Sequence, residues 1–347
     1  MLSKIIAEEN IQRIKKYIEK GQRFTIVTHV SPDGDALGSS LGLYNFLNCF
    51  DKERISVVVP NDFPAFLKWM PGAKDITIFE QHPEFAVQLI EEADVIFCLD
   101  FNTPKRVEKL APYIIGAKGR KVLIDHHLDP DEMFNVIVSH PQISSTSELI
   151  FRLICRLGDF DMMDLEMAQC IYTGMMTDTG VFSYNSNNPE IYLIVYELLK
   201  LGVDKDDIYR RVNHTYSEGR VRLMGYTLSQ KMKVYKKYGA SLICLSVDEL
   251  NRYDYKTGDT EGFVNIPLSI EGVNFSVFLR RDEDYVKVSL RSVGDFPCNL
   301  FAARYFNGGG HKNASGGEFF GTLDEARELF EKALPEFYAS LGIKIED

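Results

Sequence analysis

Four short stretches concentrate side chains that bind cations. THVSPDGDALGSS, residues 28–40, holds His29, Asp33 and Asp35; VIFCLD ends at Asp100; KVLIDHH ends at Asp125, His126 and His127; TGMMTDTG carries Asp178. A turn or a helix cap accounts for one such aspartate, because Asp-Gly is a turn dipeptide and Asp is a good N-cap. It does not account for four. Gathered in one crevice, four carboxylates repel one another, and without counter-charge some must hold protons. Two divalent cations would cancel Asp33, Asp35, Asp100 and Asp178. Oxygen-rich ligation with a little imidazole suits manganese or magnesium better than a structural zinc site, which more often recruits cysteine. Asp100 is the natural ligand to bridge two ions, and Asp125 is suited to orient the adjoining histidines, the usual way ligating imidazoles are fixed.

The elements that must position these residues follow from the apolar pattern. FTIVT, ISVVV, VIFCLD and KVLID are strand-like runs, and helical patterns alternate with them: LGSSLGLYNFL, a segment from Pro104, and helices near 146–157 and 163–176. Such alternation predicts an α/β fold, a mostly parallel sheet with helices on both faces. In open sheets of this kind ligands bind beyond the carboxyl ends of the strands, where three of the four stretches lie. The expected organisation is a metal-binding catalytic domain over 1–188, a helical connector over 189–230 with helices near 189–201, 204–213 and 217–230, and a smaller α+β domain over 231–347. The strand candidates of that second domain are 231–237, 240–246, 273–281 and 285–291.

Composition narrows the partners. The 347 residues are 45% hydrophobic, ordinary globular material, and the formal net charge of −11 opposes binding to long nucleic acids, whose phosphates favour basic surfaces. A nucleic-acid substrate should therefore be short. Six cysteines scattered without a C-x-x-C pair fit a reducing cytoplasm, and no window approaches the roughly 18 apolar residues of a membrane span. The expected protein is cytoplasmic and has no membrane partner.

The ordered set H-x-x-x-D-x-D (His29, Asp33, Asp35), strand-end D (Asp100), D-H-H (Asp125 to His127) and D-T-G (Asp178 to Gly180) resembles the DHH phosphoesterases, and VSLRS followed by FNGGGHKNASGG resembles the companion DHHA1 domain. The layout is most similar to the bacterial nanoRNases, bifunctional oligoribonuclease and pAp phosphatase proteins. The resemblance implies one manganese held by His29, Asp33 and Asp100 and a second held by Asp35, Asp100, His126 and Asp178, with magnesium or cobalt as substitutes. It implies that His127 faces the substrate phosphate. It also implies short RNA or DNA oligonucleotides and 3′-phosphoadenosine 5′-phosphate (pAp) as substrates, with a homodimer allowed. Two ions about 3.5–4 Å apart can activate a water for in-line attack on phosphorus and stabilise the departing oxygen, so no nucleophilic side chain is needed. The sequence agrees, having neither a G-x-S-x-G elbow nor a G-x-x-x-x-G-K-[ST] loop. Ser183 stands where relatives often carry an arginine.

In the second domain, Gly308, Gly309 and Gly310 follow the helical NLFAARYF and precede His311. One glycine there would be a helix C-cap; three let backbone amides approach a phosphate or sugar, with His311 adding a donor. Arg280 and Arg291, at the ends of neighbouring strand candidates, would clamp a terminal phosphate from one edge. Ser145 to Glu148 reads as a capping box and not as a nucleophile. Three other readings use the same residues: cyclic-dinucleotide hydrolysis, pyrophosphate hydrolysis, and a non-catalytic nucleotide-binding regulatory module. An intact ligand set argues against the last.

Overall fold

Runs that are apolar at every position, such as Phe24–Val27 and Val95–Leu99, make strands covered on both faces, and the chain supplies helices for both. The computed structural model describes residues 2–282 and 284–343. It divides into two units, Met1–Thr215 and Tyr216–Asp347.

The first unit runs α1 (Glu8–Lys20), β1 (Arg23–Val27), α2 (Gly34–Leu47), β2 (Arg54–Val59), β3 (Thr77–Ile78), α3 (Pro83–Glu91), β4 (Val95–Leu99), α4 (Ala111–Gly116), β5 (Arg120–Asp125), β6 (Val136–Ser139), α5 (Thr146–Leu157), α6 (Leu165–Asp178), α7 (Pro189–Lys200) and α8 (Lys205–Asn213). Its strands pair in parallel in the order β3-β2-β1-β4-β5-β6. The winding reverses between β1 and β4, which is where a crevice opens at the carboxyl end of a doubly wound sheet. Side-chain alternation divides each strand between two cores: Phe24 and Ile26 join Leu41, Leu149 and Ile171, whereas Val27 joins Leu89, Ile90 and Ile114. The expected connector contributes its first two helices to this unit, where Ile194 and Leu198 of α7 and Ile208 of α8 are buried in the first core. The segment from Pro104 is a 3₁₀ turn, Pro104–Leu110, leading into α4.

The second unit comprises α9 (Glu218–Tyr226), β7 (Met232–Tyr235), β8 (Ala240–Leu245), α10 (Val247–Asn251), β9 (Phe275–Arg281), β10 (Val286–Ser292), α11 (Cys298–Tyr305), β11 (Gly309–His311), β12 (Ala314–Phe319) and α12 (Leu323–Ser340). Its sheet is ordered β11-β12-β10-β9-β8-β7, antiparallel except for the β8–β9 pair. One face packs Val277, Leu279, Val288 and Leu290 on Phe301 of α11 and Phe330 and Phe337 of α12; the other sets Ile243 and Phe278 against Leu223 and Phe263. No helix among the described residues is long and apolar enough to cross a membrane.

Candidate metal centre

The carboxyl ends of β1, β4 and β5 deliver the cation-binding side chains to the switch point. Asp33 caps α2, its Oδ1 accepting from the amides of Asp35 and Ala36 at 3.0 Å each. Asp100 directly follows β4 with φ of 62°, a left-handed backbone uncommon outside glycine and concentrated at functional sites. Asp178 is the last residue of α6, two residues beyond the end expected for that helix.

The approach of α6 depends on small residues. Gly34, Gly38 and Gly42 recur every four residues along α2. A Cβ on Gly38 would lie 2.7 Å from the Cys170 carbonyl oxygen and 2.8 Å from Gly174 Cα; one on Gly174 would lie 1.9 Å from Ser147 Oγ and 3.0 Å from Asp35 Oδ1. The backbones of α2 and α6 therefore touch, which brings Asp35 and Asp178 to the same end.

Two of the groups of ligand atoms that lie within 4.8 Å of one another are His29, Asp33 and Asp100, and Asp35, Asp100 and His126. Asp100 belongs to both. In the first, His29 Nε2 lies 3.3 Å from Asp100 Oδ2 and 3.9 Å from Asp33 Oδ1, while its Nδ1 faces the Val30 carbonyl at 2.8 Å. That contact places the ring proton on Nδ1 and turns the Nε2 lone pair inward. In the second, His126 Nε2 lies 3.8, 3.5 and 3.4 Å from carboxylate oxygens of Asp35, Asp100 and Asp178. Its Nδ1 faces the Ile143 carbonyl at 3.2 Å, giving the same polarity. Asp35 is held by the start of α5, accepting from the Thr146 amide at 2.7 Å and the Ser147 amide at 2.8 Å, and the Thr146 hydroxyl donates to Asp100 at 2.8 Å. Anions sit well at a helix N-terminus, so α5 anchors the cluster electrostatically.

His127 is placed differently. Its Nδ1 is 2.7 Å from Asp125 Oδ1, and its amide donates to Asp125 Oδ2 at 3.1 Å. Asp125 is fully buried, and it fixes the ring so that Nε2 points away from the carboxylate.

Charge crowding appears in the protonation of these groups. Burial, then the charges of Asp100 and Asp178, push the Asp35 carboxyl well above the usual range. Burial opposes protonation of His126, but Asp178, Asp100 and Asp35 outweigh it and raise the ring to about 9. Burial would raise Asp100 too, yet the imidazoles of His29, His127 and His126 hold it well below the carboxylate range. His127 is lowered by burial, with Asp125 opposing and the Arg106 charge assisting. Buried acids that retain protons among facing lone pairs are what a cation-binding set looks like to electrostatics.

Arg106 is a residue that the spacing of motifs does not reveal. It lies six positions beyond Asp100 in the 3₁₀ turn, its carbonyl accepts from the Val30 amide at 2.8 Å, and its charge acts on both His29 and His127. The signal available in the sequence was an arginine just after a strand-end aspartate in TPKRVE. Ser183 Oγ donates to the Gly180 carbonyl at 2.6 Å and tightens the turn after Asp178. The capping box is half formed: Ser145 Oγ accepts from the Glu148 amide, but the Glu148 carboxylate turns to Ser144.

In the second unit, antiparallel register sets Arg280 opposite Lys287, Ser289 opposite Gly316, Gly316 opposite Gly309, and Ala314 between Arg291 and His311. Residues opposite one another share a face, so Arg280, Arg291, Gly309 and His311 lie on the face turned away from the α11–α12 core. The two arginines stand toward opposite ends of the β9–β10 ladder, offset by about 14 Å along the strands at 3.4 Å per residue. They do not clamp one phosphate from one edge, because the antiparallel turn between them reverses the strand ends. Arg280 donates to Thr260 Oγ1 at 3.2 Å and Asp282 Oδ2 at 2.8 Å, and Arg291 to the Leu290 carbonyl at 2.9 Å. The glycines form a strand and not a free loop. A Cβ on Gly308 would meet the Gly316 oxygen at 2.1 Å, and Gly310 has φ of 139°, whereas Gly309 has open space. Gly308 and Gly310 thus have no room for a side chain, whereas Gly309 has.

The sequence and fold comparisons match this geometry. Residues 23–175 match the DHH family, N-terminal domain, and residues 239–337 match the DHHA1 domain. The chain is 33% identical over 318 residues to a bifunctional oligoribonuclease and PAP phosphatase NrnA of Thermus thermophilus, covering 91% of this chain and 90% of that protein. It is 22% identical to a cyclic-di-AMP phosphodiesterase GdpP of Bacillus subtilis, covering 94% of this chain and 49% of that one. The crystal structure of an exopolyphosphatase-related protein from Bacteroides fragilis superposes with a TM-score of 0.92 at 60% identity, covering 98% of this chain and 99% of that one. With both domains present and a relative of this identity matched along nearly its whole length, the chain belongs to the DHH family of phosphoesterases.

Proposed function

We propose that the chain is a manganese-dependent hydrolase of phosphoester bonds in very short oligonucleotides and in pAp. The observation that carries this reading is the pair of ligand groups sharing Asp100 at the β1–β4 switch point. The residues fit two divalent cations: each group offers carboxylate oxygens and one inward imidazole lone pair, and the protons held by Asp35 and His126 are replaceable by positive charge. His29, Asp33 and Asp100 would hold one ion, and Asp35, Asp100, His126 and Asp178 the other. When bound, such ions supply Lewis acidity toward a phosphoryl oxygen and an activated water.

The chain's own residues do the rest. Asp125 fixes the His127 tautomer, leaving Nε2 to take a proton beside a phosphate and pass it to the departing oxygen. Arg106 adds positive charge near His29 and His127 that a substrate phosphate would meet. The second unit, taken by itself, has a polar face of Gly309, His311, Arg291 and Arg280 suited to a nucleotide's phosphate or sugar, with the Gly308 and Gly310 positions shaping it. The net charge of −11 supports short substrates over polymers, with a soluble, cytoplasmic setting and a homodimer in keeping with this reading.

Product analysis tests the proposal. Wild type and Asp100→Ala, with Mn²⁺, are offered pAp, a 5′-phosphorylated RNA dinucleotide, a long RNA, a cyclic dinucleotide and polyphosphate. Loss of pAp and the dinucleotide in the wild type alone is expected. Preference for the cyclic dinucleotide would shift the assignment to the activity named for the GdpP relative, and preference for polyphosphate would overturn the nucleotide reading.

A further inference from the structure

The segment after Asp178 keeps a costly backbone. Val181, Phe182 and Asn185 have φ of 59°, 58° and 48°, in the left-handed region that a β-branched residue strongly avoids. Such conformations are costly and persist where the surroundings fix them. Here Thr179 Oγ1 accepts from the Phe182 amide at 3.0 Å and Ser186 Oγ donates to the Phe182 carbonyl at 2.9 Å.

The loop brings Asn185, Asn187 and Asn188 to the lining of a cavity of about 180 Å³, which Gln142 and Ser144 also line. Ile191 and Glu148, both buried, line it as well. The Glu148 carboxylate is already satisfied by the Ser144 hydroxyl at 2.6 Å and Arg152 Nε at 2.9 Å, and Arg152 also reaches Glu190 at 2.8 Å. The cavity thus presents neutral amides with an apolar contact at Ile191, and Arg152 behind Glu148 is turned to its own carboxylates. That chemistry does not suit a phosphate.

Both lining segments continue the metal-binding segments. Between Gln142 and Ser144, the Ile143 carbonyl faces His126; Thr146 and Ser147 hold Asp35; Asp178 precedes the strained loop. We propose that this cavity is a subsite for one nucleobase of the substrate, with Gln142, Asn185 and Asn187 reading its polar edge and Ile191 contacting the ring face. The inference rests on the nucleotide reading above. An amide offers a donor and an acceptor side by side, the pattern that pairs with the N6/N7 edge of adenine. A volume below the roughly 300–1,000 Å³ of pockets for drug-sized ligands suits one ring system and not a whole nucleotide.

Calorimetric titration of AMP and of ribose 5-phosphate, with Mn²⁺ present, into wild type and the Asn185→Ala/Asn187→Ala double variant tests the subsite. The wild type should bind AMP about tenfold or more tighter than ribose 5-phosphate. The double variant should lose most of that ratio with its ribose 5-phosphate affinity and its hydrolysis of base-free bis(p-nitrophenyl) phosphate unchanged. If the variant keeps the full ratio, or weakens on both ligands equally, the subsite is wrong and the nucleotide reading stands. A wild-type ratio near one overturns the nucleotide reading and the subsite with it.

Discussion

At the scale of single residues, protons and hydrogen bonds decide what the cluster can do. Asp125 holds His127 Nδ1 at 2.7 Å, and in the proposed reading it acts through that ring, so Asp125→Asn keeps the shape while weakening the bond that sets the tautomer. Loss of such an outer partner typically costs 10–100-fold in metal affinity or activity; a fall of that order in kcat, with the pH profile of kcat displaced, is expected, and an unchanged profile would assign Asp125 to stability alone. Asp35 and His126 make a second test. Both are raised by their surroundings, His126 to about 9, and both must lose their protons before a cation binds. Cation binding at neutral pH should therefore release protons, and affinity should rise with pH until about 9. Calorimetry of Mn²⁺ binding in two buffers of different ionisation enthalpy reads the proton count; equal heats would show that the acids and the imidazole are already deprotonated.

At the scale of elements, the centre depends on how closely α2, α5 and α6 approach. Gly174 allows Ser147 and Asp35 to sit against α6 with no room for a methyl group. Gly174→Ala should cost roughly 1–3 kcal/mol by overpacking and should also move Asp35. Thermal melting should show the first effect, and Mn²⁺ titration a matching loss of affinity. A variant that melts early yet binds Mn²⁺ normally would separate packing from the site. The four-residue glycine spacing GDALGSSLG is visible in the sequence, but nothing local says which helix it meets.

At the scale of the whole molecule, each unit has its own cores and so its own stability. In the second unit, burial would raise Glu249, yet the Lys231 ammonium, the Ser246 amide and the Tyr226 hydroxyl bring it down to about 2. Because the folded value lies below the ordinary one, the stabilisation is fully present above about pH 5 and is lost as pH falls toward 2. Glu249→Gln should cost roughly 2 kcal/mol at neutral pH and much less at pH 3. Urea denaturation followed by tyrosine fluorescence at the two pH values measures the difference, and a pH-independent cost would locate the effect in hydrogen bonding.

The sequence by itself determined the class of fold and which side chains are available to bind cations. That His29, Asp33, Asp35, Asp100, His126 and Asp178 would gather was legible because strand-end acids and imidazoles carry their meaning in residue type and local position, and the βα alternation told where strand ends meet. What the sequence could not carry was set by contacts between distant segments. Strand order made β1 and β4 neighbours, so that Asp100 serves both groups; Arg106 came beside His29 through a bond to Val30; and the glycine run became a strand because β12 lies against it. Antiparallel register put Arg280 and Arg291 on one face but at opposite ends of a ladder. Pairing partners and close backbone approach depend on the whole chain's packing, and a local pattern of residue types holds no record of them.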